Sequence, residues 1–360
     1  MDSDSSDAAP ASAWETIDWK ALDRLRAEFL RGTVASEAYW QTPTDLASYD
    51  FTYGERIGWK WDHVLRELRL RGWQPRSREV LDWGCGSGIA GRRVISFFGA
   101  GQFDALTVWD HSPLACDYAA ETAARAFPDL RITQATPGFL ASEAPLGLLV
   151  ISHVLNELPA EALASLRTLI ARAEAVLWVE PGTHAVSRQL GALRDELRAA
   201  FRIVAPCTHQ LGCPMFAAGN ERHWCHFFAP PPSEIFADSN WVKFGQRAGI
   251  DLRSLPYCFI ALEQTRPAAS PAGAAPEQTL SRVIGRVEHF KPYARLLNCD
   301  ATGLTELQIP KRTASALYKD LERTKAPLVY RWRHADGGIL DGESLAKAGN
   351  TRVDETGGLR

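Results

Sequence analysis

Glu79-Val80-Leu81-Asp82-Trp83-Gly84-Cys85-Gly86-Ser87-Gly88-Ile89-Ala90-Gly91 is the stretch from which the rest of the chain can be read. A short apolar run of β type ends in a glycine cluster that leads into a helical pattern. Glycine suits such a turn because a Cβ would block positive φ and close backbone approach to a ligand. The helix that follows offers free N–H groups and the positive end of its dipole to an electron-rich group. The stretch predicts the first strand, loop and helix of a nucleotide-type α/β domain.

Two cofactors compete for this loop. Gly86-Ser87-Gly88-Ile89-Ala90-Gly91 matches the dinucleotide pattern G-x-G-x-x-G, a weak signal when it stands alone. Asp82 lies two residues before the first glycine, and this strand-Asp-x-Gly-x-Gly-x-Gly form resembles motif I of class I S-adenosylmethionine methyltransferases. The resemblance implies cofactor contacts from Asp82, Gly84, Gly86 and Gly88, the acid helping to hold the cofactor's amino group. The next strand ends at Asp110, placed to hydrogen-bond ribose hydroxyls; an acid at this distance serves either cofactor.

The chain of 360 residues is long enough for two or three units, and 46% hydrophobic residues can fill a substantial core. The net charge of −3 is unevenly spread: Arg282 to Arg333 holds eleven Lys/Arg against five Asp/Glu. The acidic, Ser/Ala-rich first residues lack the apolar core of a signal peptide. No run reaches the ~18 apolar residues of a membrane span. The expectation is a soluble, monomeric protein without membrane contacts. It would be cytoplasmic in a bacterium, or in the mitochondrial matrix of a eukaryote, though no clear transit peptide is seen. Seven cysteines in a reducing compartment are expected as thiols, metal ligands or catalytic groups.

In chain order, 1–13 reads as disordered and 14–75 as a helical unit whose aromatics (Tyr39, Trp40, Trp59, Trp61) are expected in the core. Residues 76–265 alternate strand and helix, which predicts a parallel sheet with right-handed crossovers. Strands are read near 79–83, 105–110, 130–134, 147–152, 175–180, 202–205 and 257–262, the last antiparallel. A Cys-rich insertion covers 206–250. The fourth strand ends in Ser152-His153-Val154-Leu155-Asn156-Glu157, where this fold presents residues to cofactor and substrate. Ser152 and His153 are expected at the cofactor. His153, Asn156 and Glu157 are the catalytic candidates, or else cap the next helix. Residues 266–279 read as a Pro/Ala linker, 280–335 as a basic β-rich unit, and 336–360 as a disordered Gly-rich tail.

Thiolates suit soft metals and iron–sulfur clusters, but no C-x-x-C pair exists. By spacing alone, Cys207, Cys213, Cys225 and Cys299 can be metal ligands or buried free thiols. His209, His223 and His226 are alternative ligands. Cys85, Cys116 and Cys258 read as packing residues.

Taken together, Leu81 to Gly88, Ser152 to Leu158, Val179-Glu180-Pro181-Gly182, Ala205 to His209 with Cys213-Pro214, Trp224-Cys225-His226-Phe227, Asn298-Cys299-Asp300 and Leu307 to Arg312 resemble a known family. It is the small-ribosomal-subunit methyltransferase-like family, known from mitochondrial ribosome assembly and with bacterial relatives. The resemblance implies a class I S-adenosylmethionine methyltransferase fold (α/β, Rossmann-like, seven-stranded) acting on or binding small-subunit ribosomal RNA. It also implies a 4Fe-4S cluster on Cys207, Cys213, Cys225 and Cys299, with zinc as the alternative metal. Such a cluster would staple the C-terminal unit to the methyltransferase domain. Arg286, Lys291, Arg295, Lys311 and Arg312 are the candidate RNA contacts.

The Asp/Asn-Pro-Pro-aromatic tetrad of amino-methylating enzymes is missing after the fourth strand, and no Cys nucleophile for C5 methylation is evident. Two functions therefore stand: an RNA methyltransferase, or a non-catalytic ribosome assembly factor that uses the fold to bind RNA. An NAD(P)-dependent oxidoreductase is kept only for Gly86–Gly91.

Overall fold

The computed structural model describes residues 13–31, 40–265, 280–335 and 338–347. The expected disorder of 1–12, the linker 266–279 and the end of the tail beyond 347 lie outside the described residues. The N-terminal unit contains α1 (Trp19–Arg31), α2 (Pro43–Tyr49), a π turn (Asp50–Gly54) and α3 (Glu55–Leu70). Thr42 starts α2 with a capping box: its hydroxyl accepts from Asp45 N–H and Asp45 returns a bond to Thr42 N–H.

The central domain follows as β1 (Glu79–Trp83), α4 (Ile89–Phe98), β2 (Ala105–Trp109), α5 (Pro113–Ala126), β3 (Arg131–Gln134), α6 (Pro137–Ala141), β4 (Leu146–Ser152), α7 (Ala160–Arg172), β5 (Ala173–Pro181), α8 (His184–Leu197), β6 (Phe201–Ala205), β7 (Phe227–Ala229), α9 (Ser239–Ala248) and β8 (Leu255–Gln264). The strand order is β3-β2-β1-β4-β5-β8-β6, with short β7 also pairing β8. Strands β1 to β5 run parallel and β8 is antiparallel to β5. This is the class I S-adenosylmethionine methyltransferase architecture. Successive residues point to opposite faces. Val80, Leu106, Leu148 and Val150 pack on one side with Val94 and Ile95 of α4. Leu81, Leu149, Ile151 and Val176 pack on the other with Leu166 of α7 and Leu190 of α8. The chain order reverses between β1 and β4, which opens a crevice beyond their carboxyl ends.

The C-terminal sheet comprises β9 (Leu280–His289), β10 (Tyr293–Asp300), β11 (Gly303–Pro310), β12 (Val329–Ala335) and β13 (Gly338–Ser344), with α10 (Ser315–Arg323) on one face. Strand β13 corrects the expectation that the tail is disordered from Asp336. Ile339 is buried in the core of this sheet, and a Cβ on Gly342 would lie 2.6 Å from the Trp332 ring. Glycine here allows close packing of a paired strand rather than disorder.

The C-terminal sheet is docked by its own side chains. The Arg282 guanidinium, 3% exposed, reaches the fully buried Glu67 carboxylate of α3 at 2.9 Å and lies over the Phe227 ring. Arg71 closes on the same carboxylate at 2.8 Å. Gly285 N–H donates to the His226 carbonyl, and Ile284 joins the core of the central domain. Arg282 therefore leaves the basic surface to which its charge was assigned from the sequence. Among the described residues no helix is long and apolar enough to cross a membrane.

Removing one partner of a fully buried ion pair costs about 3–5 kcal/mol because the other charge is stranded. Arg282→Met is therefore expected to lower stability by that amount in denaturant unfolding and to speed hydrogen exchange in β9. Arg295→Ala, which breaks an exposed pair with Glu288, is expected to cost ~0–1 kcal/mol. Equal effects of the two substitutions would show that the docking does not depend on Arg282.

Candidate functional site

A cavity of about 640 Å³ opens at the carboxyl ends of β1 and β4, roofed by α2, the π turn and α3. Gly84, Gly86 and Gly88 have φ of 68°, 51° and 75°, conformations in which a Cβ is strained. Gly84 also leaves room for the Val154 side chain, which a Cβ would meet at 2.6 Å. Gly88 caps α4 and packs 2.9 Å, by the same measure, from Ala119 of α5. Gly84 and Gly86 line the cavity, while Gly88 sits behind them.

Asp82 is not a wall of this cavity. Its carboxyl is wholly buried under the loop, where Oδ2 accepts from Gly91 N–H at 2.9 Å and Oδ1 has no partner. Burial pushes this carboxyl up to about 7. Asp82 thus ties strand β1 to the first turn of α4, a role set by the close approach of Gly91, whose Cβ would come 2.7 Å from Oδ2. A motif read as cofactor contact becomes, at this position, the brace of the loop that makes the contact.

Asp110 lines the cavity, and its two oxygens accept from Gly86 N–H at 2.9 Å and Ser112 N–H at 3.0 Å. Oδ1 also lies 3.1 Å from His111 Nδ1, and Oδ2 keeps a further lone pair. Hydrogen bonding to Asp110 raises the His111 imidazole above its ordinary value. Trp83 and Trp109, at the ends of β1 and β2, stack with centroids 4.9 Å apart and give the cavity a flat aromatic wall.

His153, Asn156 and Glu157 all line the cavity, and the cap of α7 is Pro159, without a side-chain bond. The capping alternative therefore falls for these three. Burial, then Lys60 and Arg56, push the His153 imidazole well below its usual range. Ser152 also lines the cavity, and its hydroxyl accepts from the buried Trp61 Nε1–H at 3.0 Å. Tyr49, Tyr53, Arg56 and Lys60 come from the roof; Trp40 borders the cavity while buried in a core cluster with Leu25 and Leu46, Trp59 and Trp61 are core as expected, and Tyr39 lies outside the described residues. The roof is latched by Arg92, which holds Asp50 through two bonds of 2.7 and 2.6 Å and the Ser87 carbonyl at 2.6 Å. Lys60 escaped the sequence reading because a lysine in an amphipathic helix carries no sign of the strand end it will face.

The four candidate metal ligands act on one another electrostatically where the insertion meets the C-terminal sheet. Burial raises the Cys225 thiol well above its usual value, and the thiolates of Cys207, Cys213 and Cys299 add to this. Burial, then Cys207, push Cys213 up to about 11. Arg194, 1% exposed, binds the Leu211 and His209 carbonyls, and Asp195 accepts from Cys213 N–H at 3.0 Å. Among the described residues no group of three or more His, Cys, Asp or Glu is arranged to hold a metal ion. His209, His223 and His226 bond instead to Leu211 N–H, Arg222 and the Trp224 carbonyl. Cys85, Cys116 and Cys258 are buried.

Of the candidate RNA contacts, Arg286, Lys291, Lys311 and Arg312 are exposed and Arg295 is half-buried. Lys311 lies over the Tyr318 ring, Arg286 over Phe228, and Arg295 pairs with Glu288.

No curated protein matches the chain. Among solved structures it is similar to the N-methyltransferase NodS from Bradyrhizobium japonicum in complex with S-adenosyl-L-homocysteine (17% identity, TM-score 0.37, covering 68% of this chain and 100% of that one). It is also similar to magnesium protoporphyrin IX methyltransferase from Synechocystis (14%, 0.37, 70% and 97%) and to the 16S rRNA methylase RmtB (14%, 0.34, 69% and 76%). At such scores nothing about this chain follows from them, and its strand order alone carries the fold. Residues 62–319 match the family described as mitochondrial small ribosomal subunit Rsm22. That match spans well over half of the sequence, and the chain belongs to this family.

Proposed function

We propose that the chain binds S-adenosylmethionine in the cavity between the glycine loop and α3, and that it acts on small-subunit ribosomal RNA. The observation that carries the cofactor reading is the pairing of two wall glycines at positive φ with Asp110 across the same cavity. Gly84 and Gly86 let the backbone approach a methionyl chain closely, Asp110 Oδ2 has a lone pair for a ribose hydroxyl, and Trp109 offers an apolar face to a purine. These residues fit the cofactor, which when bound would supply an electrophilic methyl group. Association with the small ribosomal subunit is supported by the family to which the chain belongs. The RNA contacts assigned here are Arg286, Lys291, Arg295, Lys311 and Arg312.

The same reading includes an iron–sulfur cluster on Cys207, Cys213, Cys225 and Cys299. Its support is that Cys207, Cys213 and Cys299 each act on the buried Cys225 thiol and raise it further. A cationic cluster would remove that repulsion.

Asp110→Ala is expected to weaken S-adenosylmethionine binding by about 1–3 kcal/mol in calorimetry, the size of a lost bond to a charged group. Unchanged affinity, or tight NADH binding instead, would remove the cofactor assignment. Protein purified without oxygen should carry iron and a broad visible absorbance that Cys299→Ser abolishes. Stoichiometric zinc without iron would replace the cluster by zinc, and four freely alkylated thiols would exclude both. Lys311→Glu with Arg312→Glu should weaken RNA binding and flatten its dependence on salt, because phosphate contacts release counterions. An unchanged salt slope would place those two residues away from the RNA.

A further inference from the structure

We infer that the ε-amine of Lys60 is the proton acceptor of the cavity: it takes the proton of an N–H or O–H nucleophile of the RNA as that atom is methylated, with His153 positioning it. This rests on the cofactor reading above. Lys60 Nζ lies 3.1 Å from His153 Nε2, and both side chains line the cavity shared by Gly84, Gly86 and Asp110.

The pair is built rather than incidental. Among the described residues His153 is the sole non-glycine residue at positive φ, 57°. Such a conformation costs about 1–3 kcal/mol and survives only where its surroundings over-determine it. They do so here. Glu180 of β5, fully buried, accepts from Val154 N–H and Leu155 N–H at 3.1 Å each, and from Trp178 Nε1–H at 2.6 Å. These bonds pin the turn that throws the imidazole toward α3. On its other side, Ser152 Oγ lies 3.3 Å from His153 Nδ1 and is itself held by Trp61 Nε1–H. The strain therefore serves to place one ring nitrogen against one amine.

The charged and titratable groups facing Lys60 are Arg56 on its own helix, His153 after β4, Glu180 on β5 and Cys258 on β8. Burial, then Arg56, bring the amine down to about 7, against the opposing pull of Cys258 and Glu180. With His153 uncharged and its proton on Nδ1 toward Ser152 Oγ, a neutral Lys60 donates one N–H to the bare Nε2 and keeps its single lone pair for the incoming proton; the ammonium donates to the same nitrogen. The imidazole thus holds the amine in place in both of its protonation states without changing tautomer or charge.

In the proposed step the acceptor atom's electron pair forms the new bond to the methyl carbon, and the C–S bond breaks onto sulfur to leave a neutral thioether. The proton on the acceptor passes to Lys60, which becomes an ammonium and releases it to solvent after product leaves. This assigns the acceptor to nitrogen or oxygen rather than a ring carbon.

The first test is independent of turnover. In brief acylation of the native full-length chain read by peptide mass spectrometry, Lys60 should reach half its limiting reactivity at a pH of about 7, against ~10.4 for an unburied lysine. The second is single-turnover methyl transfer to assembling small subunits. Lys60→Met and Lys60→Arg should each slow it by ~10²–10⁴-fold, the usual worth of a general base, because a guanidinium cannot give up its proton. A role in packing or charge alone would be rescued by arginine. Lys60 titrating with ordinary lysines, wild-type transfer by Lys60→Arg, or cofactor-bound wild type that transfers no methyl group each overturn the inference. Absence of cofactor binding in calorimetry instead removes the reading beneath it, and the two failures are distinguished by that measurement.

Discussion

The Glu67 carboxylate, fully buried on α3, binds Arg71 and Arg282 at once. Burial works against its charge, but Arg282 and Arg71 outweigh it and hold the carboxyl below its ordinary value. A buried charge tolerates no missing partner, so the three groups must stay together. Arg71 spends its remaining donors on the Val204, Pro206 and Cys207 carbonyls. The loop that begins the cysteine set and the sheet that ends it are thereby tied to a single helix.

The same helix serves the cavity. One turn and more before Glu67, Lys60 and Trp61 reach the end of β4. Between them and Glu67, His63 bonds the Tyr257 hydroxyl at 2.7 Å and the Lys325 carbonyl at 3.3 Å. Burial lowers the His63 imidazole to about 4, so it bridges the central domain and the C-terminal sheet without adding charge. Helix α3 is thus the common wall of the cavity, the cysteine loop and the docked sheet. A cluster on the four cysteines would reinforce this docking rather than supply it alone.

The central sheet was legible because its signals are local. The run Val80 to Trp83 followed by glycines needs no distant partner to read as strand and turn, and the same holds for Ser152 to Glu157 after β4. Asp82 shows the limit of such reading. Its place in the motif was plain, yet whether its carboxyl meets a ligand or braces Gly91 depends on how closely α4 returns over β1. The tail shows another: Gly342 looks like disorder until Trp332 lies against it.

From the sequence by itself come the α/β alternation, the glycine loop, the acid at Asp110 and the strand end that faces a ligand, since each follows from backbone preference and period within a few residues. Only the tertiary structure decides that Lys60 meets His153 across 93 positions, that Arg282 is a buried anchor rather than part of a basic face, and that the aromatic N-terminal helices roof the cavity. These depend on which surfaces of separate units exclude water together, and burial, not residue type, then sets the charge and partner of each group.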